Sequence, residues 1–248
     1  MKIEVYKNYE LMSERAAEII TNLVMEKPDA KIVFATGNTP VATYEKLVRN
    51  YQKNLVSFEE VKSFNLDEYV GLDETDKHSF RYFMNKHLFD HINIKKRNIA
   101  FPKAIDMSLE ALNKYDRKID KVKTFDLLIM GIGTNGHIAF NEPYTDWDLR
   151  THFVSLDRNT LKDNFCDENA RINRAITMGI SDILKAKQII VLANGSKKAK
   201  IVKTILNAKV GDLKIPATAL QQHKNVTLIL DQESAAGIEA KNDYRQVE

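Results

Sequence analysis

The stretch Phe125-Asp126-Leu127-Leu128-Ile129-Met130 runs directly into Gly131-Ile132-Gly133-Thr134-Asn135-Gly136-His137-Ile138-Ala139-Phe140-Asn141-Glu142-Pro143. The first part is a short apolar run of the kind that forms a buried parallel strand. The second is a glycine-rich turn carrying a histidine and a glutamate, which puts chemistry at that strand's carboxyl end. Gly131, Gly133 and Gly136 also satisfy the dinucleotide pattern G-x-G-x-x-G. That pattern needs its third glycine to open a helix whose N-terminus holds a pyrophosphate. Pro143 follows too soon after Gly136 to allow such a helix, because an interior proline removes a hydrogen bond and clashes with the preceding turn. The nicotinamide or flavin reading is therefore set aside.

Outward from this run, apolar spacing switches repeatedly between period 2 and period 3.6. A helix is predicted over Tyr9–Glu26, where Ala16, Ile19, Ile20, Leu23 and Val24 share a face before Pro28 stops it. Further helices are predicted at Val41–Tyr51, Ser79–Phe89, Ser108–Val122 and Ser196–Leu206. Strands are predicted at Lys31–Ala35, Val61–Leu66, Leu127–Met130, Gln188–Leu192 and Val226–Leu230. Strands alternating with helices of this length imply a mostly parallel sheet covered on both faces. The expectation is a single-domain α/β three-layer sandwich with a Rossmann-like sheet, with ligands outside the carboxyl ends of the strands.

A chain of 248 residues with 44% hydrophobic and 29% charged residues has the balance of a globular protein with a substantial core. The net charge of +3, from 37 basic and 34 acidic residues, gives no warrant for nucleic acid as a partner. No apolar stretch has membrane-spanning length, and Met1-Lys2-Ile3-Glu4-Val5 does not open a signal peptide. The one cysteine, Cys166, excludes an internal disulfide and fits a reducing compartment, so a cytoplasmic location is expected.

Four motifs could carry chemistry. Ala35-Thr36-Gly37-Asn38-Thr39-Pro40 is a small polar turn leading into a helix, a natural phosphate cradle or, equally, a helix N-cap at Asn38 or Thr39. Phe64-Asn65-Leu66-Asp67-Glu68-Tyr69-Val70-Gly71-Leu72 places Asp67 at a strand terminus, where partial desolvation would raise its pKa into the range of a working base. His137 and Glu142 stand at a spacing that lets the carboxylate fix the imidazole tautomer. Ala193-Asn194-Gly195-Ser196-Lys197-Lys198 puts lysines on a helix's first turn, unfavourable against the dipole unless an anion is bound there. No second histidine lies near His137 and the H-E-x-x-H spacing is absent, so no metal is expected.

At these motifs the sequence resembles the glucosamine-6-phosphate deaminases, isomerising enzymes that convert glucosamine 6-phosphate to fructose 6-phosphate and ammonia. The likeness runs through nearly the whole chain and is strongest at Val56-Ser57-Phe58, Phe64–Leu72 and Gly131–Pro143. It implies that Asp67 moves a proton between C2 and C1, and that His137 opens the pyranose ring with Glu142 orienting it. It also implies that Thr36, Gly37, Asn38, Thr39 and Lys198 hold the phosphate, and that no metal, nicotinamide or pyridoxal cofactor takes part.

The chain departs from the family pattern at several positions. Asn135 stands where many relatives have aspartate, and Asn38 where glycine is common. No arginine follows Asn164 in Lys162-Asp163-Asn164-Phe165-Cys166, where the family's Asn-Ser-Arg supplies a substrate contact; Arg171 and Arg174 are the candidate substitutes. His152 and Val154 replace the basic residues that bind an allosteric N-acetylated sugar phosphate in hexameric relatives, which predicts a chain without that activation and leaves monomer and homo-oligomer both open. Tyr144 and Trp147 are read either as part of a lid or as loop packing. The rival readings are a deaminase for another amino-sugar phosphate such as galactosamine 6-phosphate, a 6-phosphogluconolactonase-like hydrolase, and a non-catalytic sugar-phosphate sensor.

Overall fold

The computed structural model describes residues 1–103, 105–156 and 172–238, together with the backbone of 244–247. The main sheet has eight strands, β1 (Lys2–Tyr6), β2 (Lys31–Phe34), β3 (Lys62–Asn65), β5 (Ile99–Ala100), β6 (Leu127–Gly131), β9 (Ile189–Ala193), β10 (Val226–Asp231) and β11 (Tyr244–Val247), in the order β11-β1-β10-β9-β6-β2-β3-β5. Every neighbouring pair is parallel, with Ile32 opposite Leu127 and Leu128 opposite Ile189 at the centre. Among the described residues no helix is long and apolar enough to cross a membrane.

Side chains alternate across this sheet with period 2 and feed two separate cores. Val33, Leu128, Met130, Ile189, Val191, Leu228 and Leu230 pack with Tyr115, Ile119 and Val122 of α4 (Leu109–Val122), with Ile180 and Ile183 of α5 (Ile180–Ile183), and with Ile201, Val202 and Ile205 of α6 (Ala199–Asn207). Ile32, Phe34, Leu127, Ile129, Ile190, Leu192 and Ile229 point the other way. They meet Met12, Ala16, Ile20 and Val24 of α1 (Tyr9–Glu26), Tyr44 and Leu47 of α2 (Val41–Gln52), and Met84 of α3 (Phe80–His87). These are the three layers expected from the alternating pattern. The central strands read as continuous apolar runs because both faces are covered.

A second, three-stranded antiparallel sheet was not anticipated. It consists of β4 (Asp67–Tyr69), β8 (Arg174–Thr177) and β7 (His152–Ser155) in that order. Its cause lies at Leu66, whose carbonyl accepts from Met178 N–H at 2.7 Å and draws the chain off β3 onto β8. Asp67 therefore opens β4, one residue beyond the predicted strand end.

Candidate active site

After β2 the chain moves to β3 on one side, and after β6 to β9 on the other, so the neighbours β2 and β6 flank a topological switch point. Ligands of open parallel sheets bind in the crevice at such a point. A cleft of about 210 Å³ opens there, lined by Thr36, Gly37, Asn38, Thr39, Asp67, Phe80, Gly133, His137 and Lys198 among others. Four segments far apart in sequence thus meet at one crevice.

The cradle side is built from the β2–α2 turn. Gly37 takes φ +97°, a left-handed conformation open to glycine without strain. Pro40 precedes α2, and no side chain of the turn caps it, so the N-cap reading of Asn38 and Thr39 is not what the structure adopts. Tyr9 does that work from α1: its hydroxyl lies 3.1 Å from the Asn38 carbonyl and 3.0 Å from that of Thr39, and accepts from Ala42 N–H at 3.1 Å. The Thr39 hydroxyl donates to Asn194 Oδ1 at 2.9 Å, tying the turn to the one after β9. Lys198 Nζ donates to the Ile132 carbonyl at 2.7 Å, which holds the ammonium at the cleft wall, whereas Lys197 is exposed.

Asp67 is 7% exposed, and among the described residues no hydrogen-bond donor or cation reaches its carboxylate. Burial, reinforced by the neighbouring charge of Glu68, pushes it up to about 8. Glu68, pointing to the other side of β4, accepts from Tyr69 N–H at 2.9 Å and from Phe80 and Arg81 N–H at 2.8 Å each. Burial still outweighs these three donors and raises Glu68 to about 7. The contacts pin the first turn of α3 to β4 and so set Phe80 in the cleft.

The turn after β6 is not a helix. Gly133 N–H donates to the His137 carbonyl at 2.9 Å, Gly136 N–H to Gly133 at 3.0 Å, and Asn141 N–H to Ile138 at 3.0 Å. The Asn141 amide then staples the turn to the small sheet, donating to the Met178 carbonyl at 2.9 Å. His137 Nδ1 lies 3.3 Å from Glu142 Oε1, an ion-pair distance whose angle falls short of a hydrogen bond. Asn135 completes the group: its amide donates to Glu142 Oε2 at 2.6 Å, and its carbonyl oxygen accepts from His137 N–H at 3.0 Å. Asn135 and Glu142 stand behind the imidazole, since neither lines the cleft. Among the described residues no group of three or more His, Cys, Asp or Glu side chains is arranged to hold a metal ion.

Residues 8–229 match the family of glucosamine-6-phosphate isomerases and 6-phosphogluconolactonase. The chain belongs to this family. Within the glucosamine-6-phosphate isomerase/6-phosphogluconolactonase family, a relative from Clostridium botulinum (strain Langeland / NCTC 10281 / Type F) named glucosamine-6-phosphate deaminase is 42% identical, covering 97% of this chain and 100% of its own. Another of that name, from Thermoanaerobacter sp. (strain X514), is 41% identical over 100% of this chain and 99% of its own. A solved structure described as a monomeric glucosamine-6-phosphate deaminase superposes with a TM-score of 0.91 at 38% identity, covering 95% of this chain and 99% of its own.

Three residues that shape this family member's cleft are absent from the sequence motifs in these roles: Tyr9 as a remote helix cap and Glu68 as the clamp on α3, both outside the lining, and Phe80 as a cleft wall. Each acts through a partner 12 or more positions away, outside any local pattern. The segment Lys162–Cys166 and Arg171 lie outside the described residues. Arg174 sits on β8 with its guanidinium against the Met107 sulfur and does not line the cleft. Trp147 packs partly buried against the core while Tyr144 is 69% exposed.

Proposed function

We propose that the chain is a glucosamine-6-phosphate deaminase in amino-sugar catabolism, using the cleft between β2 and β6. The observation that carries this reading is a buried Asp67, unpartnered among the described residues, sharing one crevice with the His137 imidazole and the Thr36–Thr39 and Lys198 anion cradle. The names of its relatives at 41% and 42% identity support the same chemistry.

In this reading Lys198 and the N–H groups of residues 36–39 hold the phosphate, and the binding energy of that remote group positions the sugar. His137 passes a proton to the ring oxygen as the pyranose opens, with Glu142 and Asn135 fixing the imidazole from behind. Asp67 removes the C2 proton, giving an enolamine, and returns a proton at C1. The resulting C2 imine takes up water and releases ammonia, leaving fructose 6-phosphate. A carboxylate raised to about 8 is a strong enough base for a C–H bond activated by the C1 carbonyl. The fold supplies the desolvation that a surface aspartate lacks.

The test is ammonia release by purified protein from glucosamine 6-phosphate. Turnover that falls by about 10² to 10⁴ in Asp67→Asn and in His137→Gln supports the assignment. Preferred turnover of galactosamine 6-phosphate would move the substrate to the other epimer, and hydrolysis of 6-phosphogluconolactone alone would reject deamination. A rate curve that N-acetylglucosamine 6-phosphate leaves unchanged is expected from His152 and Val154.

A further inference from the structure

A second cavity, about 290 Å³, lies on the far side of β4 from the catalytic cleft. Successive residues of a strand face opposite ways, and here Asp67 lines the cleft while Glu68 lines the second cavity. Four cations face it: Arg81 from the first turn of α3, Lys96 from the turn before β5, Lys103 from the segment after β5, and Lys118 from α4. Among the described residues none of the four has a carboxylate within ion-pair distance. Two acids line the same cavity and offset part of this charge, leaving the four cations in excess. Glu68 accepts from three backbone N–H groups with its two oxygens, and among the described residues Glu74 is the other carboxylate in the wall.

Arg81 is held as a presented group. Its guanidinium carbon lies 5.5 Å from the ring centres of both Phe89 and Phe101, and its Nε is buried with no hydrogen-bond partner. Stacking of this kind fixes the guanidinium plane and leaves its N–H edges for an anion. Lys118 is half-buried, and burial together with the positive charges of Lys114 and Arg81 pushes its pKa down. Half-buried like charges whose counter-charges stay beyond ion-pair distance are unfavourable, and a bound anion would relieve them. Leu72, Ile99, Phe101 and Pro102 add an apolar wall beside the cations.

We propose that this cavity is a second binding site that takes a phosphate monoester on a small organic body, with the phosphate on Arg81, Lys96 and Lys118 and the body against Phe101 and Pro102. Arginine and lysine together suit a dianionic phosphate, the first through paired N–H donors and the second as a point charge. The site does not rest on the reading of the catalytic cleft, but a count of two equivalents rests on the reading that the cleft also takes a sugar phosphate. It adjoins that cleft through Glu68, whose carboxylate holds both Arg81 N–H at the site and Phe80 N–H at the cleft wall.

Calorimetric titration at constant ionic strength tests this, with inorganic phosphate and glucose 6-phosphate as probes. The intact protein is expected to take two equivalents of glucose 6-phosphate, and the Lys96→Ala/Lys118→Ala variant one, with its thermal unfolding and basal turnover unchanged. In Lys198→Ala, where the cleft is weakened, the second site is expected to prefer glucose 6-phosphate over inorganic phosphate by at least about tenfold. Any equivalents that survive the double lysine variant undiminished, or no preference between the probes, would overturn the proposal, whereas a single equivalent lost in that variant would keep the second site and count against the cleft reading.

Discussion

The imidazole of His137 lies so close over Gly133 that a β-carbon on residue 133 would overlap the ring. Gly133 therefore makes room for the histidine rather than for a pyrophosphate, and the resemblance to a dinucleotide fingerprint is coincidental. The ring is a side chain and can yield, so Gly133→Ala should leave the fold intact while displacing the imidazole from the cleft. Turnover is expected to fall by about 10² to 10³, the scale of losing one positioned acid–base group, with a thermal midpoint close to that of the parent. A variant with full turnover would show that the position of His137 is not what the cleft depends on.

Asn135 touches both ends of the His137–Glu142 pair, with Glu142 Oε2 at 2.6 Å and the His137 backbone N–H at 3.0 Å. If it acts by holding Glu142 against the imidazole, its effect disappears once Glu142 is gone. Asn135→Ala alone is expected to lower kcat about tenfold with little change in KM. In Glu142→Ala it should cost almost nothing further, the strong non-additivity of residues acting as one unit. Additive losses in the double variant would separate Asn135 from Glu142.

Asp67 and Glu68 are successive residues on β4, and the charge of Glu68 adds to burial in raising Asp67. Asp67 must be ionised to act as a base, so kcat/KM should climb with pH, about tenfold per unit, and level off near the value of about 8 set by burial and Glu68. Glu68→Gln removes the neighbouring charge, so the level part should begin at lower pH. Losing a charged acceptor for the N–H groups of Phe80 and Arg81 should also cost about 1 to 3 kcal/mol of stability. A stability loss with an unmoved pH profile would leave Glu68 a purely structural clamp. For stability the sign runs the other way. The folded form retains a proton on Asp67 between its unfolded value near 3.8 and about 8, so stability falls as pH rises through that window. Asp67→Asn should flatten this slope.

Five strands of the parallel sheet were legible because they are mostly apolar runs and the longer helices carry one-sided apolar stripes, whereas β1, β5 and β11 were not predicted. α1 begins at Tyr9 and ends at Glu26 as its spacing predicts, and β2, β6, β9 and β10 lie within a residue of expectation. The small sheet was illegible for the opposite reason. Asp67-Glu68-Tyr69, His152-Phe153-Val154-Ser155 and Arg174-Ala175-Ile176-Thr177 are too short and too polar to announce strands, and they become extended only by pairing with one another. The cleft divides in the same way. The Gly-His-Glu turn and the Ala-Thr-Gly turn are local features, readable from spacing, and the structure brings them to one crevice. Tyr9 capping α2 and Glu68 gripping α3 are tertiary contacts, and no window of sequence around either residue contains its partner.

Asp126 marks the opposite end of the sheet from the cleft. It stands just before β6, accepts from Lys31 N–H at 3.0 Å, and binds the ammonium groups of Lys27 at 2.8 Å and Lys187 at 2.9 Å. One carboxylate thus ties together the amino ends of β2, β6 and β9. Burial pushes it up, yet the Lys27 ammonium, the Lys31 N–H and Lys187 outweigh burial and hold it at about 2, below its ordinary 3.8. A depressed carboxyl contributes stability that is present above the unfolded value and is lost as pH falls through the folded one. Lys187 is solvent-exposed and Lys27 partly so, which screens the pairs, so Asp126→Asn should cost about 1 to 2 kcal/mol at about pH 7. Urea unfolding of the parent and the variant at about pH 7, 4 and 2 should show the two curves converging at the acid end. Turnover should be unaffected at 25 °C, because the clip sets strand register and touches nothing in the cleft. A variant equally stable at every pH would mean that the two lysines find water as good a partner as Asp126, and that the sheet's register rests on its apolar faces alone.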